Sequence, residues 1–169
     1  MSNSQSGFLN DEIWTMFEFL HMETVQNFLA EHKLRGTSMD HCYAKLEYMG
    51  FRFGQKLIEK FSKDRERLKD ELEIMKYVCK EFWFNIYRKN IDNLRTNHQG
   101  VYVLTDNQFR FLRSISSTDQ FTAECHPFLA IPCGVVRGAL SNIGVAANVS
   151  TELVKPPQVK FTVTIDRKT

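Results

Sequence analysis

A chain of 169 residues with 22 basic and 20 acidic side chains, a net charge of +2, lacks the basic surplus on which a nucleic-acid binder rests its affinity. Its 43% hydrophobic and 25% charged residues describe one globular domain with a sizeable core, expected over residues 8–169 behind a disordered lead of residues 1–7. No apolar run is long enough to span a bilayer and no signal-type stretch opens the chain, so Cys42, Cys79, Cys125 and Cys133, none in a CxxC pair, are expected as reduced thiols in the cytoplasm.

Periodicity predicts four helical segments and four strands. Helix one is expected from Asn10 to His32, capped by Asn10 or Asp11 with Phe8 or Leu9 as a staple. Ile13, Phe17, Leu20 and Phe28 share one side of it, Trp14, Val25 and Leu29 widen that side, and Met16 and Phe19 lie off it. The apolar arc is broader than one core contact requires. Gly36, Thr37 and Ser38 break the chain, and helix two follows from Met39 to Ser62. Its main face is Cys42, Leu46, Met49, Phe53, Leu57 and Phe61, and Lys45, Arg52, Lys56 and Glu59 mark the wet side. Two wide-arc helices in succession suit a helical interface, and the pattern fits enclosed core helices equally well.

Helix three is expected from Asp64 to Tyr87, its first turns KDRERLKDELE alternating in charge sign as a solvated face. After a turn at Asn97–Gly100, a hairpin is expected with arms Val101–Leu104 and Phe109–Leu112 about a turn at Asp106-Asn107. Residues 114–126 read as a polar surface connection. Helix four, from Pro127 to Gly144, places Ala130, Gly134 and Gly138 on one stripe, a costly choice that implies another backbone lying against it. Gly50 and Gly54 allow the same in helix two. Pro132 is expected in the first turn of helix four, Gly144 as its C-cap, and Arg137, its only formal charge, snorkelling to water. Ala146–Val154 and Gln158–Ile165 are strands joined by a Lys155-Pro156-Pro157 turn, the second alternating Val159, Phe161, Val163 and Ile165 with polar residues. Fourteen phenylalanines imply a large core, an apolar pocket or a buried partner surface.

No constellation for chemistry emerges. Cys125, His126 and Cys133 lack the second ligand pair that structural zinc needs, so no metal is expected. A thiol nucleophile at Cys133, near a helix N-terminus, is the alternative to core packing, and with it a small-molecule or lipid pocket. There is no GxxxxGK[ST], no GxGxxG, no apolar carboxylate pair and no RNA-binding signature around FRFLRS. No catalytic residue and no cofactor are expected.

Two stretches, Gly50-Phe51-x-x-Gly54-x-x-Leu57-Ile58-Glu59 and Cys133-Gly134-x-x-Arg137-Gly138-Ala139-Leu140, with the element order around them, resemble the small subunits of the transport protein particle, TRAPP, of the Bet-three/Trs-thirty-three class. The resemblance covers Phe8 to Asp166, and HPFLAIPCG matches the subunit 6 branch. It implies an α+β fold, about four helices on a twisted four-stranded antiparallel sheet, and no enzymatic activity of the chain alone. It implies a heterodimer with a Bet-three-type subunit through helices one and two, with a homodimer open to the chain in isolation. It further implies contact with other TRAPP subunits, and with a Rab GTPase of the Ypt-one type only through the complex. That complex tethers vesicles and exchanges nucleotide on the GTPase in transport from the endoplasmic reticulum to the Golgi. The chain is therefore expected in the cytoplasm, peripheral at endoplasmic reticulum and cis-Golgi membranes, with no nucleic-acid partner.

Phe17, Leu20, Phe28, Leu46, Met49 and Phe53 are the interface residues this places on the two helices. Six such side chains contribute on the order of 10 kcal/mol before association costs. The resemblance also implies an acyl-accepting cysteine near the start of helix three in Bet-three-type relatives. Residues 64–73 here contain no cysteine, so no thioester acyl group is expected.

Overall fold

The computed structural model describes residues 3–113 and 125–167, with backbone alone for residues 3–12. The chain divides into two compact units, Met1–Tyr43 and Ala44–Thr169. The first contains α1 (Asn3–Arg35) and the opening turn of α2 (Met39–Phe61). Helix α1 starts seven residues before the expected Asn10, taking in residues that the sequence places in an irregular lead. Asn10 and Asp11 are thus interior residues and not caps. Gly36 ends α1 in the left-handed region, at φ +61°, where a glycine carries no Cβ penalty. His32 Nδ1 and Thr37 Oγ1 lie 3.1 Å apart across the break, and the Ser38 hydroxyl accepts from His41 N at 3.3 Å to cap α2.

In the second unit α2 ends at Phe61, but helix three starts later than its charge pattern predicts. Asp70 stops extension toward Asp64: it holds φ −139° and its carboxylate accepts from Glu73 N at 2.7 Å. The Glu73 carboxylate in turn accepts from Lys69 N at 2.7 Å. This D-x-x-E reciprocity opens α3 at Glu71, and residues 62–70 form turns and extended chain. Helix α3 (Glu71–Tyr77) runs through a π-helical turn, Val78–Phe82, into α4 (Trp83–Tyr87). The wider turn brings Val78, Cys79, Phe82 and Trp83 all inside.

The hairpin also sits one turn earlier than expected. Its arms are β1 (Asn93–Thr96) and β2 (Val101–Asp106), joined where Asn97 Oδ1 accepts from Gln99 N and Val101 N. The expected second arm is instead a 3-10 turn, Arg110–Leu112. The reason is that β2 is flanked on both sides: β1 takes one edge and β4 (Gln158–Ile165) the other, so no edge remains for Phe109 to extend along. Phe109 N donates to Pro157 O instead. The four strands are antiparallel in the order β1-β2-β4-β3, with β3 spanning Ala147–Lys155. Together with the helices they make an α+β fold.

Val159, Phe161 and Val163 alternate into the core as their sequence period requires. There Phe161 meets Trp83 edge to face with centroids 5.0 Å apart, and Phe109 packs on Tyr87 at 5.2 Å. Phe111 completes this aromatic cluster, with its ring 5.8 Å from that of Phe109. The last helix, α5 (His126–Ile143), places Pro132 at its seventh residue, beyond the first turn where it was expected. Gly144 caps α5 at φ +96° as predicted, and Val145 N closes the motif on Leu140 O at 2.9 Å. The polar connection Ser114–Glu124 lies outside the described residues.

The four glycines explain one another. A Cβ built on Gly50 would overlap the carbonyl of Ile131, and one on Gly54 the carbonyl of Val135. Reciprocally, Cβ atoms on Gly134 and Gly138 would overlap the carbonyls of Glu47 and Phe51. Helices α2 and α5 therefore cross backbone to backbone through two small-residue pairs. The sequence implied a close neighbour for each pair; the structure makes each the neighbour of the other.

Candidate protein-interaction surface

Large apolar side chains left in water mark contact surfaces more reliably than buried ones. On α1, Phe17 is 45% exposed and Leu20 64%, while Phe28 is half-buried. Ile13 is 62% exposed and Met16 72%. Residues 13, 16, 17 and 20 follow the i, i+3, i+4, i+7 spacing of a helix face, so Met16 completes the stripe from which the sequence reading excluded it. The Trp14 and Phe17 rings pack at 5.3 Å, fixing the root of the stripe.

On α2, Phe53 is 52% exposed and Met49 half-buried, one turn apart. Leu46 is a correction: it has no accessible surface within the chain, because the arc containing it and Ile58 is turned inward, so it belongs to the core. What holds α2 in this rotation is the glycine crossing. Beside it, Arg137 of α5 pairs with Glu47 at 2.7 Å and lies 4.8 Å over the Phe51 ring. Arg137 thus braces the crossing, while its side chain stays 34% exposed and keeps the contact with water that the sequence predicts.

All four cysteines are buried and none is in a disulfide. Cys133 is the eighth residue of α5, clear of its N-terminus, and its thiol donates to Val149 O of β3 at 3.1 Å. Burial pushes this thiol up to about 12, with Glu47 adding to the rise and Arg137 opposing it. Burial alone pushes Cys79 up to about 12. A helix-activated thiolate at Cys133 is therefore overturned. Both thiols are expected to stay unmodified through an hour in iodoacetamide at pH 7.5 and to react fully in 6 M guanidinium, as read by intact mass; rapid native labelling of Cys133 would contradict this.

Sequence reasoning missed one buried polar network. Asp106, read as a turn residue, is fully buried at the end of β2. Its carboxylate accepts from Trp83 Nε1 at 3.0 Å, from Gln108 N at 3.0 Å and from the Lys89 ammonium. Lys89 also reaches Asp92 at 2.8 Å, and Asp92 accepts from Asn107 N at 2.7 Å. Burial alone would raise the Asp92 carboxyl, but the bonds from Lys89 and Asn107 outweigh it and hold the group below its ordinary value. The network ties α4 to the sheet. Among the described residues, no group of three or more His, Cys, Asp or Glu is placed to hold a metal ion.

An exposed apolar stripe suits a protein contact, and comparison with known proteins names the assembly. The family model for the transport protein particle (TRAPP) component matches residues 17–166. The chain belongs to the TRAPP component family. It is 50% identical over 152 residues to trafficking protein particle complex subunit 6b of Danio rerio, covering 90% of this chain and 96% of that protein. Identity to subunit 6A of Bos taurus is lower, 40% over 153 residues with the same coverage. The TRAPP fold is matched by a crystal structure of trafficking protein particle complex subunit 3 from Naegleria fowleri covalently bound to palmitic acid. That match has a TM-score of 0.71 at 18% identity, over 89% of this chain and 95% of that one. No helix among the described residues of this TRAPP component is long and apolar enough to cross a membrane.

Proposed function

We propose that this chain is a non-catalytic assembly subunit of the TRAPP vesicle-tethering complex, pairing with a Bet-three-type sibling through α1 and α2. The observation that carries the reading is the water-exposed stripe of Ile13, Met16, Phe17 and Leu20, which a free-standing helix has no use for. Phe53 and Met49 supply apolar surface on α2. Obligate interfaces of this kind bury ~2,000 Å² or more and resemble a core cut in half. The family resemblance extends the role to transport from the endoplasmic reticulum to the Golgi. There the complex exchanges nucleotide on a Rab GTPase of the Ypt-one type, and the chain lies in the cytoplasm, peripheral at those membranes. A homodimer is open to the chain only without its sibling.

The palmitate of the subunit 3 structure is not carried over. Residues 64–73 hold no cysteine, and the buried, protonated Cys79 is a poor acyl acceptor. The same argument removes the thiol-enzyme alternative at Cys133.

Substituting Phe17→Asp tests the pairing. The charge enters a surface that pairing would dry, so affinity for the sibling is expected to fall at least 100-fold in calorimetry. The melting temperature of the isolated subunit should stay within about 3 °C, since Phe17 is half exposed. Undiminished affinity would remove α1 from the contact, and with it the two-helix pairing reading.

A further inference from the structure

We propose that the α2 half of the pairing surface takes a helix whose apolar stripe is flanked by aspartate or glutamate, so that charge selects the partner. This rests on the pairing reading above and deepens it. Arg52, Lys56 and Lys60 recur at i, i+4 and i+8, and Met49 and Phe53 run beside them at i and i+4. All five fall within an arc of about 100° on an ideal helix, and no carboxylate shares it. Glu59 sits at its border and reaches only Lys56, at 3.1 Å. Glu47 is committed to Arg137 on another side of α2. Arg52 and Lys60 make no ion pair with any described residue.

A surface of two apolar side chains bounded by three cations is complementary to an acidic-flanked amphipathic helix. It is not complementary to itself: an antiparallel α2–α2 contact with a second copy would set cation against cation, which costs affinity and disfavours the self-pair. An anionic lipid surface is the weaker match. Each Lys or Arg near such a surface contributes about 1 kcal/mol, and clusters of about 4–8 mark lipid-binding segments; with the half-buried Lys45 counted in the same arc, this face reaches only the lower end of that range.

The test uses the Bet-three-type sibling as probe, in calorimetry at 50 and 500 mM NaCl, with wild-type chain, Arg52→Glu/Lys60→Glu and Phe17→Asp. Wild-type affinity is expected to fall at least tenfold across that range. The double charge reversal should bind at least tenfold more weakly at 50 mM and lose most of the salt dependence. Wild-type affinity flat with salt overturns the proposal without any variant. Loss of pairing in Phe17→Asp with the double variant unchanged overturns it while leaving the pairing reading intact. Intact pairing in Phe17→Asp removes the pairing reading and the proposal with it. Vesicles of phosphatidylserine and phosphatidylcholine are the final arm: vesicle binding abolished by the double variant, with sibling affinity unchanged, gives the face to membranes and overturns the proposal.

Discussion

Gly138→Val is expected to destabilise the isolated chain by ~3 kcal/mol or more, lowering the melting temperature by about 10 °C. The cause is geometric. A Cβ at Gly138 would overlap the Phe51 carbonyl, and backbone cannot rotate aside as a side chain tip does. Either α2 and α5 separate, opening gaps along the whole crossing, or the helix bends. Gly54→Val meets the Val135 carbonyl in the same way and should cost as much. Gly36→Ala is the control: no atom lies within 4 Å of its added Cβ, so only the left-handed backbone is strained, at about 1–2 kcal/mol. A Gly138→Val protein melting within about 2 °C of wild type in scanning calorimetry would contradict the backbone-to-backbone crossing.

Asp106→Ala is expected to be the most damaging polar substitution, at about 3–5 kcal/mol in urea unfolding. It strips the partner from Trp83 Nε1 and leaves the Lys89 ammonium, whose side chain is only 18% exposed, with Asp92 alone. The double substitution Asp106→Ala/Lys89→Met removes both charges and should recover part of the loss, because the larger cost is the stranded cation. Trp83→Phe deletes one hydrogen bond, keeps the aromatic cluster mostly filled, and should cost less than Asp106→Ala. A loss below about 1 kcal/mol for Asp106→Ala would show that the network does not tie α4 to the sheet.

What the sequence disclosed and what it hid divide along physical lines. Strand β4 was legible because Val159, Phe161 and Val163 alternate against one buried face, a period that a single sequence displays. The small-residue stripes were legible because glycine in a helix has a cost that only close packing repays. The exposed apolar face of α1 was legible in outline, from an arc too broad for one contact. Its membership was not, since Met16 joins Ile13, Phe17 and Leu20 only when the helix is seen with that side in water.

Elements decided by non-local pairing were hidden. Asn93–Thr96 carries a weak strand pattern and is recruited by β2, while Phe109–Leu112 carries a strong one and finds no free edge. The late start of α3 was present in the sequence as Asp70-Glu71-Leu72-Glu73, a capping signal outweighed by the longer run of charged helix formers before it. Leu46 shows the limit of a face read from period alone. It shares a stripe with Met49 and Phe53, yet burial separates it from them, and only tertiary packing decides which edge of a wide arc faces inward.

The most direct measurement is light scattering across a size-exclusion column, of the chain alone and co-expressed with a Bet-three-type sibling. A one-to-one heterodimer that persists through the column, and that forms at the expense of any homodimer, is the predicted result. A chain that elutes as a monomer with the sibling running separately would contradict the assembly role of the α1 stripe.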